Sequence, residues 1–302
     1  MSAAASYLEA TARQRLHRLF GARGFHEWLP PSARVVSPHL AQLDAPLAFD
    51  DGVAIGRGML DHYTVFAAAQ EGGFMGGAVG EVHGAKLVGL LRRAIVDQPD
   101  AVLLLLETGG VRLHEANAGL IAVSEVMRAL LDTRAAGIPV IVLIGGSNGC
   151  FGGMGIAARC ANAIVMSEGG RLAMSGPEVI ETANGVEEFD SRDRALVWRT
   201  TGGKHRYLLG DCDRIVADTV DAFRAAAIEL IAVCRAQPVA LTLAALESEQ
   251  RGLERRLQEH GSASEPMTIW RQLGIADSSG IAMLEPEEFR SMASASSARS
   301  DR

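Results

Sequence analysis

The sequence predicts an α/β fold in which helices pack on a sheet. The middle of the chain repeats one pattern three times: a short apolar run, a glycine-rich loop and then a helix. The runs are too short for typical helices and end at glycine, as buried strands that lead into tight turns do. With 302 residues, 48% of them hydrophobic, the chain has enough apolar surface for one large core or two small ones.

Before this repeat, the chain predicts a helix, an irregular arm and a pair of strands. Apolar residues at helical spacing over 5–20 indicate an amphipathic helix that ends near Gly21. Several prolines and the lack of a period over 30–50 indicate the arm. Residues 53–69 predict two strands joined by a turn near Asp61 and His62.

The repeat and the segments after it predict the remaining elements. The predicted strands are 101–107, 139–145, 163–169 and 171–176, and the predicted helices are 81–98, 117–137, 153–161, 190–200 and 218–236. Ser175, three residues before Glu178 and with Pro177 between them, predicts the capped start of a further helix. Small polar residues at the end predict a disordered tail over 286–302, after a single domain over 1–285.

Composition excludes several classes of function. The net charge is −7 with no basic block, which argues against nucleic acid and anionic membranes as partners. No apolar stretch reaches the ~20 residues that span a bilayer, and no secretion signal is evident. The cysteines lie far apart without a CxxC pair, so neither a zinc ribbon nor a disulfide framework is expected and a cytoplasmic location fits; they are Cys150, Cys160, Cys212 and Cys234.

The glycine-rich loops predict catalysis by main-chain groups. Glycine lets the backbone approach a ligand, and N–H groups aimed at one point stabilise negative charge that develops on oxygen. The first loop, 72–80, has two interpretations: a turn that packs a helix on the sheet, or a cradle for an acyl thioester or phosphate at the start of helix 81–98. It lacks the GxxxxGK[ST] pattern of a Walker A loop.

Several side chains in or near the loops have a functional and a structural interpretation. Residues 145–149 match G-x-S-x-G, but the loop continues beyond Ser147, and only His205 and His260 lie downstream to complete a triad, which disfavours a serine hydrolase. Glu107, His83 and His114 are candidate acids or bases, although a polar residue that bonds a loop backbone is the more common role.

Two further features also have a functional and a structural interpretation. Cys150 is a nucleophile only with a histidine partner, and without one a small buried thiol is the better interpretation. A dense charge run is usually a solvated face and alternatively the rim that meets a partner subunit; it comprises Glu187, Glu188, Asp190, Arg192, Asp193 and Arg194.

Four segments in order resemble the acyl-CoA carboxyltransferases. TGGVRLHEA resembles their SGGAR-type loop, GCFGGMGIAA their CAGGA-type loop and MSGPEVIE the ITGP-type segment that follows. FMGGAVGEVHGAK resembles the matching loop of the acetyl-CoA carboxylase carboxyltransferase β subunits. GVEEFDSRDRALVWRTTGGKHRY, at 185–207, resembles the β subunits of biotin-independent malonate decarboxylases, a related family.

This resemblance implies a crotonase-like fold, a spiral of ββα units with flanking helices, and an active site for acyl thioesters. It implies oxyanion donors at the N–H groups of Gly110 and Val111 in one loop and of Gly152 and Gly153 in the other. It also implies that glycine-loop residues bind the substrate, namely Gly76, Gly77, Gly109, Gly149, Cys150 and Phe151. No metal site is expected.

The resemblance further implies an enzyme that decarboxylates a malonyl thioester on an acyl carrier protein to the acetyl thioester. The carrier would bear a CoA-like prosthetic group, no biotin would be used, and a γ-type subunit would complete the site in a hetero-oligomer. Carboxyltransferase β subunits of bacteria carry a cysteine zinc ribbon before this domain, and its absence here favours the decarboxylase. The alternatives are a biotin-dependent carboxyltransferase subunit and a non-catalytic subunit that docks the carrier protein.

Overall fold

One seven-stranded sheet organises the chain in a computed structural model that describes residues 5–21, 24–44, 49–239, 241–263, 265–275 and 277–295. The strands follow one another across the sheet in chain order. The first three pair antiparallel and the rest are parallel. They are β1 (His26–Trp28), β2 (Val53–Leu60), β3 (Tyr63–Gln70), β4 (Ala101–Leu105), β5 (Val140–Ile144), β6 (Ala163–Ser167) and β7 (Arg214–Val216).

Helices connect the parallel strands and cover the sheet. They are α1 (Ala12–Phe20), α2 (Pro38–Gln42), α3 (Glu81–Asp97), α4 (Ala118–Ala135), α5 (Gly153–Arg159), α6 (Pro177–Asn184), α7 (Arg194–Thr201), α8 (Gly203–Leu208), α9 (Val220–Ala236), α10 (Leu243–His260), α11 (Pro266–Gln272) and α12 (Pro286–Ala295). None of these helices, taken over the residues that the structure describes, is long and apolar enough to cross a membrane.

The sheet is buried on both faces, which explains the unbroken apolar runs of its central strands. Successive side chains of β4 alternate between two cores: Leu104 packs in the core with α3 and α4, and Leu103 packs in the core with α1 and α9. All five residues of β4, β5 and β6 are buried. The glycine loops that follow β4 and β5 are therefore attached to the fully buried centre of the sheet.

Most predicted elements are found, with three corrections. The predicted strand 171–176 is reduced to isolated bridges at Arg171 and Leu172. The first helix begins at Ala12, where Thr11 and Gln14 form a capping box, rather than at residue 5. Ser175 caps no helix, because the N-cap of α6 is Gly176, although Pro177 does occupy the first turn.

The prediction of a disordered tail was wrong for residues 286–295, which form α12. The ring of Phe289 is fully buried, 5.6 Å from the ring of Tyr207. Phe289 is thus the aromatic anchor, together with the buried Ala293, of a segment whose small polar residues suggested disorder. Residues 296–302 of the predicted tail lie outside the described residues.

The Phe289 anchor leads to a testable prediction. Replacing Phe289 by alanine should lower the free energy of unfolding by about 3–5 kcal/mol, because the change leaves a cavity in the core. Urea denaturation measures the loss, and Met283→Ala is the control because that side chain is 85% exposed. Equal stability of the two variants would contradict the packing of α12.

Candidate active site

Main-chain hydrogen bonds join the glycine loops side by side beyond the ends of the parallel strands. The first loop bonds the second, since Gly109 N–H donates to the Gly76 carbonyl at 2.9 Å and Val79 N–H to the Gly110 carbonyl at 2.9 Å. The second bonds the third, since Thr108 N–H donates to the Gly149 carbonyl at 2.8 Å. The bonded residues form isolated β-bridges, which make a second layer beside the main sheet. Each unit of the spiral therefore consists of a strand, a β-bridge and a helix.

The two predicted oxyanion turns meet in this layer. An ideal Cβ built on Gly152 would lie only 3.5 Å from the Gly110 Cα. Both glycines have left-handed φ angles, +147° at Gly110 and +65° at Gly152, which L side chains rarely adopt. Apart from Gly110 and its two chain neighbours, no atom of the described residues lies within 4 Å of a Cβ built on Gly110, so this turn borders open space.

Two of the four predicted donors already have an acceptor. Gly152 N–H donates to the Met174 carbonyl at 2.9 Å, so the prediction of this N–H as a free donor needs correction. Gly110 N–H donates to the Thr108 hydroxyl at 3.1 Å, a bond within its own turn. No oxygen among the described residues accepts from Val111 N–H or Gly153 N–H. The adjoining turns thus offer one N–H each.

The predicted substrate-binding residues divide into exposed and packed ones. Gly76 and Gly109 are exposed beside the turns. Gly77 is packed, since a Cβ there would lie 1.9 Å from the Glu107 carbonyl oxygen. Gly149 is packed similarly, against the Phe151 ring and the Arg171 backbone.

Two side chains of the third loop face the protein interior. Cys150 is fully buried and Phe151 nearly so. Burial raises the pKa of the Cys150 thiol, which keeps it protonated, as expected of a structural thiol. The packed loop residues could therefore contact a substrate only through their backbones.

Glu107 joins the second and third glycine loops on the side that faces the protein interior. Its buried carboxylate forms an ion pair with Arg15 and accepts from Asn148 N–H at 3.2 Å and from the Ser147 hydroxyl at 3.3 Å. Its own N–H donates to the side chain of Gln70 at 2.8 Å. These contacts match the structural interpretation of Glu107 rather than that of an acid or base open to substrate.

A second buried network fixes the turn that contains Val111. Arg112 contacts Asp50 at 2.5 Å and Glu115 at 3.3 Å, and its Nε donates to the Ala78 carbonyl at 2.9 Å. Burial opposes ionisation of Asp50, but the hydrogen bond and charge of Arg112 prevail, and the pKa of Asp50 is lowered. The side chain next to Val111 is thus held on three sides.

The start of α3 is occupied by carboxylates of the chain itself. Glu115 accepts from Glu81 N–H at 2.6 Å, and Asp50 accepts from His83 N–H at 3.2 Å. These contacts favour the packing interpretation of the first loop over the phosphate cradle, because anions already satisfy this helix end.

The two histidines near the loops differ in environment. Burial lowers the pKa of His83 to about 3, so its ring is neutral, and its Nε2 lies 3.0 Å from the side-chain nitrogen of Gln70. His114 is exposed, 3.8 Å from Glu115. Only His114 is therefore accessible to solvent, beside the turn that contains Val111.

Ser147 lacks the partners of a hydrolytic triad. His205 accepts from the indole N–H of Trp270 at 3.0 Å, and His260 contacts Gln272 at 2.7 Å, so neither downstream histidine bonds the serine. Helix α5 begins only at Gly153, as the prolonged loop predicted. The serine hydrolase interpretation is not supported.

Sequence reasoning missed Arg15 and Arg171. Arg15 is 1% exposed and pairs with Glu107 across 92 residues. The Arg171 guanidinium lies 5.6 Å from the Phe151 ring and donates to the Ser147 carbonyl. Arg15 lies on the buried face of α1 beside Ala12 and Leu16, but no local pattern indicates that its partner is a carboxylate so distant in sequence. For Arg171, only its place as the first residue of the predicted strand 171–176 gave a signal.

These features define a crotonase-like enzyme domain in which backbone turns, rather than a side-chain triad, form the candidate site. The sequence profile described as the carboxyl transferase domain matches residues 9–228. The chain belongs to this family, and the enzymes of this type transfer or remove carboxyl groups.

Curated relatives and solved structures support this assignment. The malonyl-S-ACP:biotin-protein carboxyltransferase MADC of Malonomonas rubra is 46% identical over 72% of this chain and 73% of its own length. The propionyl-CoA carboxylase β chain of Saccharopolyspora erythraea is 31% identical over 68% of this chain, which covers only 37% of that longer protein. A Pseudomonas malonate decarboxylase hetero-tetramer contains a chain with a TM-score of 0.75 and 40% identity, matched over 86% of this chain and 94% of that one.

Proposed function

We propose that this chain is the β-type subunit of a malonate decarboxylase that removes CO₂ from a malonyl thioester on an acyl carrier protein. The supporting observation is the contact of the Gly110 and Gly152 turns, which leaves Val111 N–H and Gly153 N–H without acceptors among the described residues. Loss of CO₂ leaves an enolate whose charge lies on the thioester oxygen. Two N–H donors would stabilise that charge more than the neutral carbonyl of the substrate.

The remaining groups of the site serve to hold these donors in place. Thr108 accepts from Gly110 N–H, and Met174 accepts from Gly152 N–H, so each turn has a fixed direction before substrate arrives. Arg112 donates to the Ala78 carbonyl, and Glu107 accepts from Asn148 N–H, so both side chains fix the loops from the protein interior. Such preorganisation is what makes backbone dipoles effective, because they need no rearrangement as the charge forms.

A second subunit would complete the site. Apolar side chains next to the turns are exposed, with Leu113 at 85% and Met174 at 71%. Exposed apolar groups that cluster around an open site are typical of a protein interface. A γ-type partner would cover them and would supply the opposite wall and the proton donor, and the carrier protein would present the thioester. Two of the similar solved structures are a hetero-tetramer and a hetero-dimer of malonate decarboxylase.

Carboxyl transfer to a biotin protein is the second candidate. MADC, 46% identical, has that activity by its name, and structures of transcarboxylase 12S are also similar at 25–26% identity, whereas two structures at 38–40% identity are malonate decarboxylases. Both reactions pass through the same enolate, so the turns described above serve either one. They differ in the fate of CO₂, which leaves to solution in the first and is transferred to biotin in the second.

The test uses the complex of this chain with its partner subunit and ¹⁴C-malonyl-carrier protein. We expect release of labelled CO₂ that is unchanged by avidin and by added biotin carrier protein. Appearance of the label on the biotin protein in place of free CO₂, abolished by avidin, would establish the carboxyltransferase instead. A complex that binds the carrier without any turnover under either condition would leave only a docking role.

A further inference from the structure

A cavity of about 280 Å³ lies between α7, α8 and α11, with residues 278–282 along one side. Its volume is close to the lower end of the ~300–1,000 Å³ range of small-molecule sites. The two turns of the candidate active site do not line it. Apolar side chains form much of its wall, among them Trp198, Trp270, Met267 and Ile281.

One polar group on this wall is a buried histidine in a defined tautomer. His205 is 5% exposed, and its Nδ1 accepts from the indole N–H of Trp270 at 3.0 Å. An indole nitrogen only donates, so Nδ1 carries no proton and the proton of the neutral ring is on Nε2. Burial lowers the pKa of His205 to about 3, which keeps the ring neutral near pH 7. No residue in the described ranges accepts from Nε2, so this N–H is a free donor.

A second polar group is an arginine without a counter-ion. Arg199 lines the cavity, and its Nε is sealed from solvent without a hydrogen-bond partner. Within the described part of the chain, no carboxylate lies within 4 Å of its guanidinium nitrogens. A half-buried guanidinium group with unused donors is suited to a carboxylate, which accepts two parallel N–H bonds.

The nearby acidic group does not supply that carboxylate. Glu168 also lines the cavity, but it pairs with Lys204 Nζ at 2.9 Å. Lys204 donates further to the carbonyls of Ile281 at 2.9 Å and Leu284 at 2.8 Å, which fixes the segment along the cavity. Glu168 and Lys204 therefore compensate each other, and the unpaired charge on the wall is the positive charge of Arg199.

We propose that this cavity binds a small monocarboxylate with a short hydrocarbon chain, a ligand distinct from the thioester substrate. The carboxylate accepts from the Arg199 guanidinium and from His205 Nε2–H, and the hydrocarbon lies against the Trp198 and Trp270 rings. Charge-assisted hydrogen bonds fix the orientation, and burial of the chain adds affinity.

Tryptophan emission tests this proposal, since two of the three tryptophans of the chain line the cavity. Sodium butyrate is titrated into the full-length chain against sodium chloride at equal ionic strength. We expect a saturable change with butyrate and an affinity at least about tenfold lower for butyramide, which has the same shape but no charge.

Two arginine variants on α7 separate a specific site from general apolar binding. Arg199→Met should weaken butyrate binding at least about tenfold while leaving butyramide binding unchanged. Arg194→Met is the matched control, because Arg194 is exposed at the start of α7 and does not line the cavity. Absence of a saturable butyrate signal, or equal butyrate affinity in wild type and Arg199→Met, would overturn the proposal.

Discussion

Replacing Gly153 by proline should lower kcat for CO₂ release by about 10²–10³-fold, the usual effect of removing one oxyanion donor. Proline has no N–H, so the substitution removes the donor that α5 offers to the enolate. Gly153 is the first residue of α5, and proline is well tolerated at that position because the N–H has no partner within the helix. The substitution thus removes one hydrogen-bond donor and adds the atoms of the proline ring.

An alanine variant controls for the added side chain. A Cβ at Gly153 would lie 2.5 Å from a methyl group of Val123, so proline and alanine meet the same neighbour. Adding Val123→Ala to both variants relieves that contact. Gly153→Ala/Val123→Ala retains the N–H and should stay within a fewfold of Val123→Ala alone, while Gly153→Pro/Val123→Ala should show the full loss.

Single-turnover release of ¹⁴CO₂ from malonyl-carrier protein measures the effect, with KM followed separately. An N–H that acts on the enolate changes kcat more than KM, because the neutral carbonyl gains less from it. Equal losses in the proline and alanine variants would assign the effect to packing against Val123. Full activity of the proline variant would remove Gly153 from the proposed oxyanion hole.

The elements predictable from sequence are those with a local signal. The β2–β3 hairpin, the buried strands β4 to β6 and the helices α3, α4 and α9 each carry a period or a glycine boundary over a short window. β7 has only three residues and becomes a strand because β6 provides its hydrogen-bonding edge. α10 has no buried residue, so it shows no core-facing pattern; α12 buries Phe289 and Ala293, one helical turn apart, but small polar residues around them make the pattern weak.

In the candidate site, too, features with a local sequence signal could be predicted, and features that depend on distant residues could not. The turn positions were predictable because glycine marks them, and Gly110 and Gly152 do adopt left-handed φ angles. The sequence could not predict which N–H groups remain free. The carbonyl that accepts from Gly152 N–H belongs to Met174, which is 22 residues distant in sequence. Likewise nothing near Glu107 in sequence indicates that Arg15 neutralises its charge.

The buried Arg15–Glu107 pair is the second place where a single substitution should have a large effect. Arg15→Met should lower the free energy of unfolding by about 3–5 kcal/mol, because it leaves the Glu107 carboxylate buried without its counter-charge. The variant also removes the donor to the carbonyl of Tyr7, which accepts from Arg15 Nε at 2.8 Å. Chemical denaturation of the full-length chain measures the loss.

Two further variants assign the loss to the unpaired charge. Arg13→Met removes another ion-paired arginine from α1, but its side chain is 35% exposed, so about 1 kcal/mol or less is expected. Arg15→Met/Glu107→Gln removes both charges, and the oxygen of the new side-chain amide can still accept from Asn148 N–H. This double variant should recover part of the loss, because a neutral amide costs less to bury than an unpaired carboxylate. If the double variant were less stable than Arg15→Met, the cost would lie in the loop contacts of Glu107 rather than in its charge.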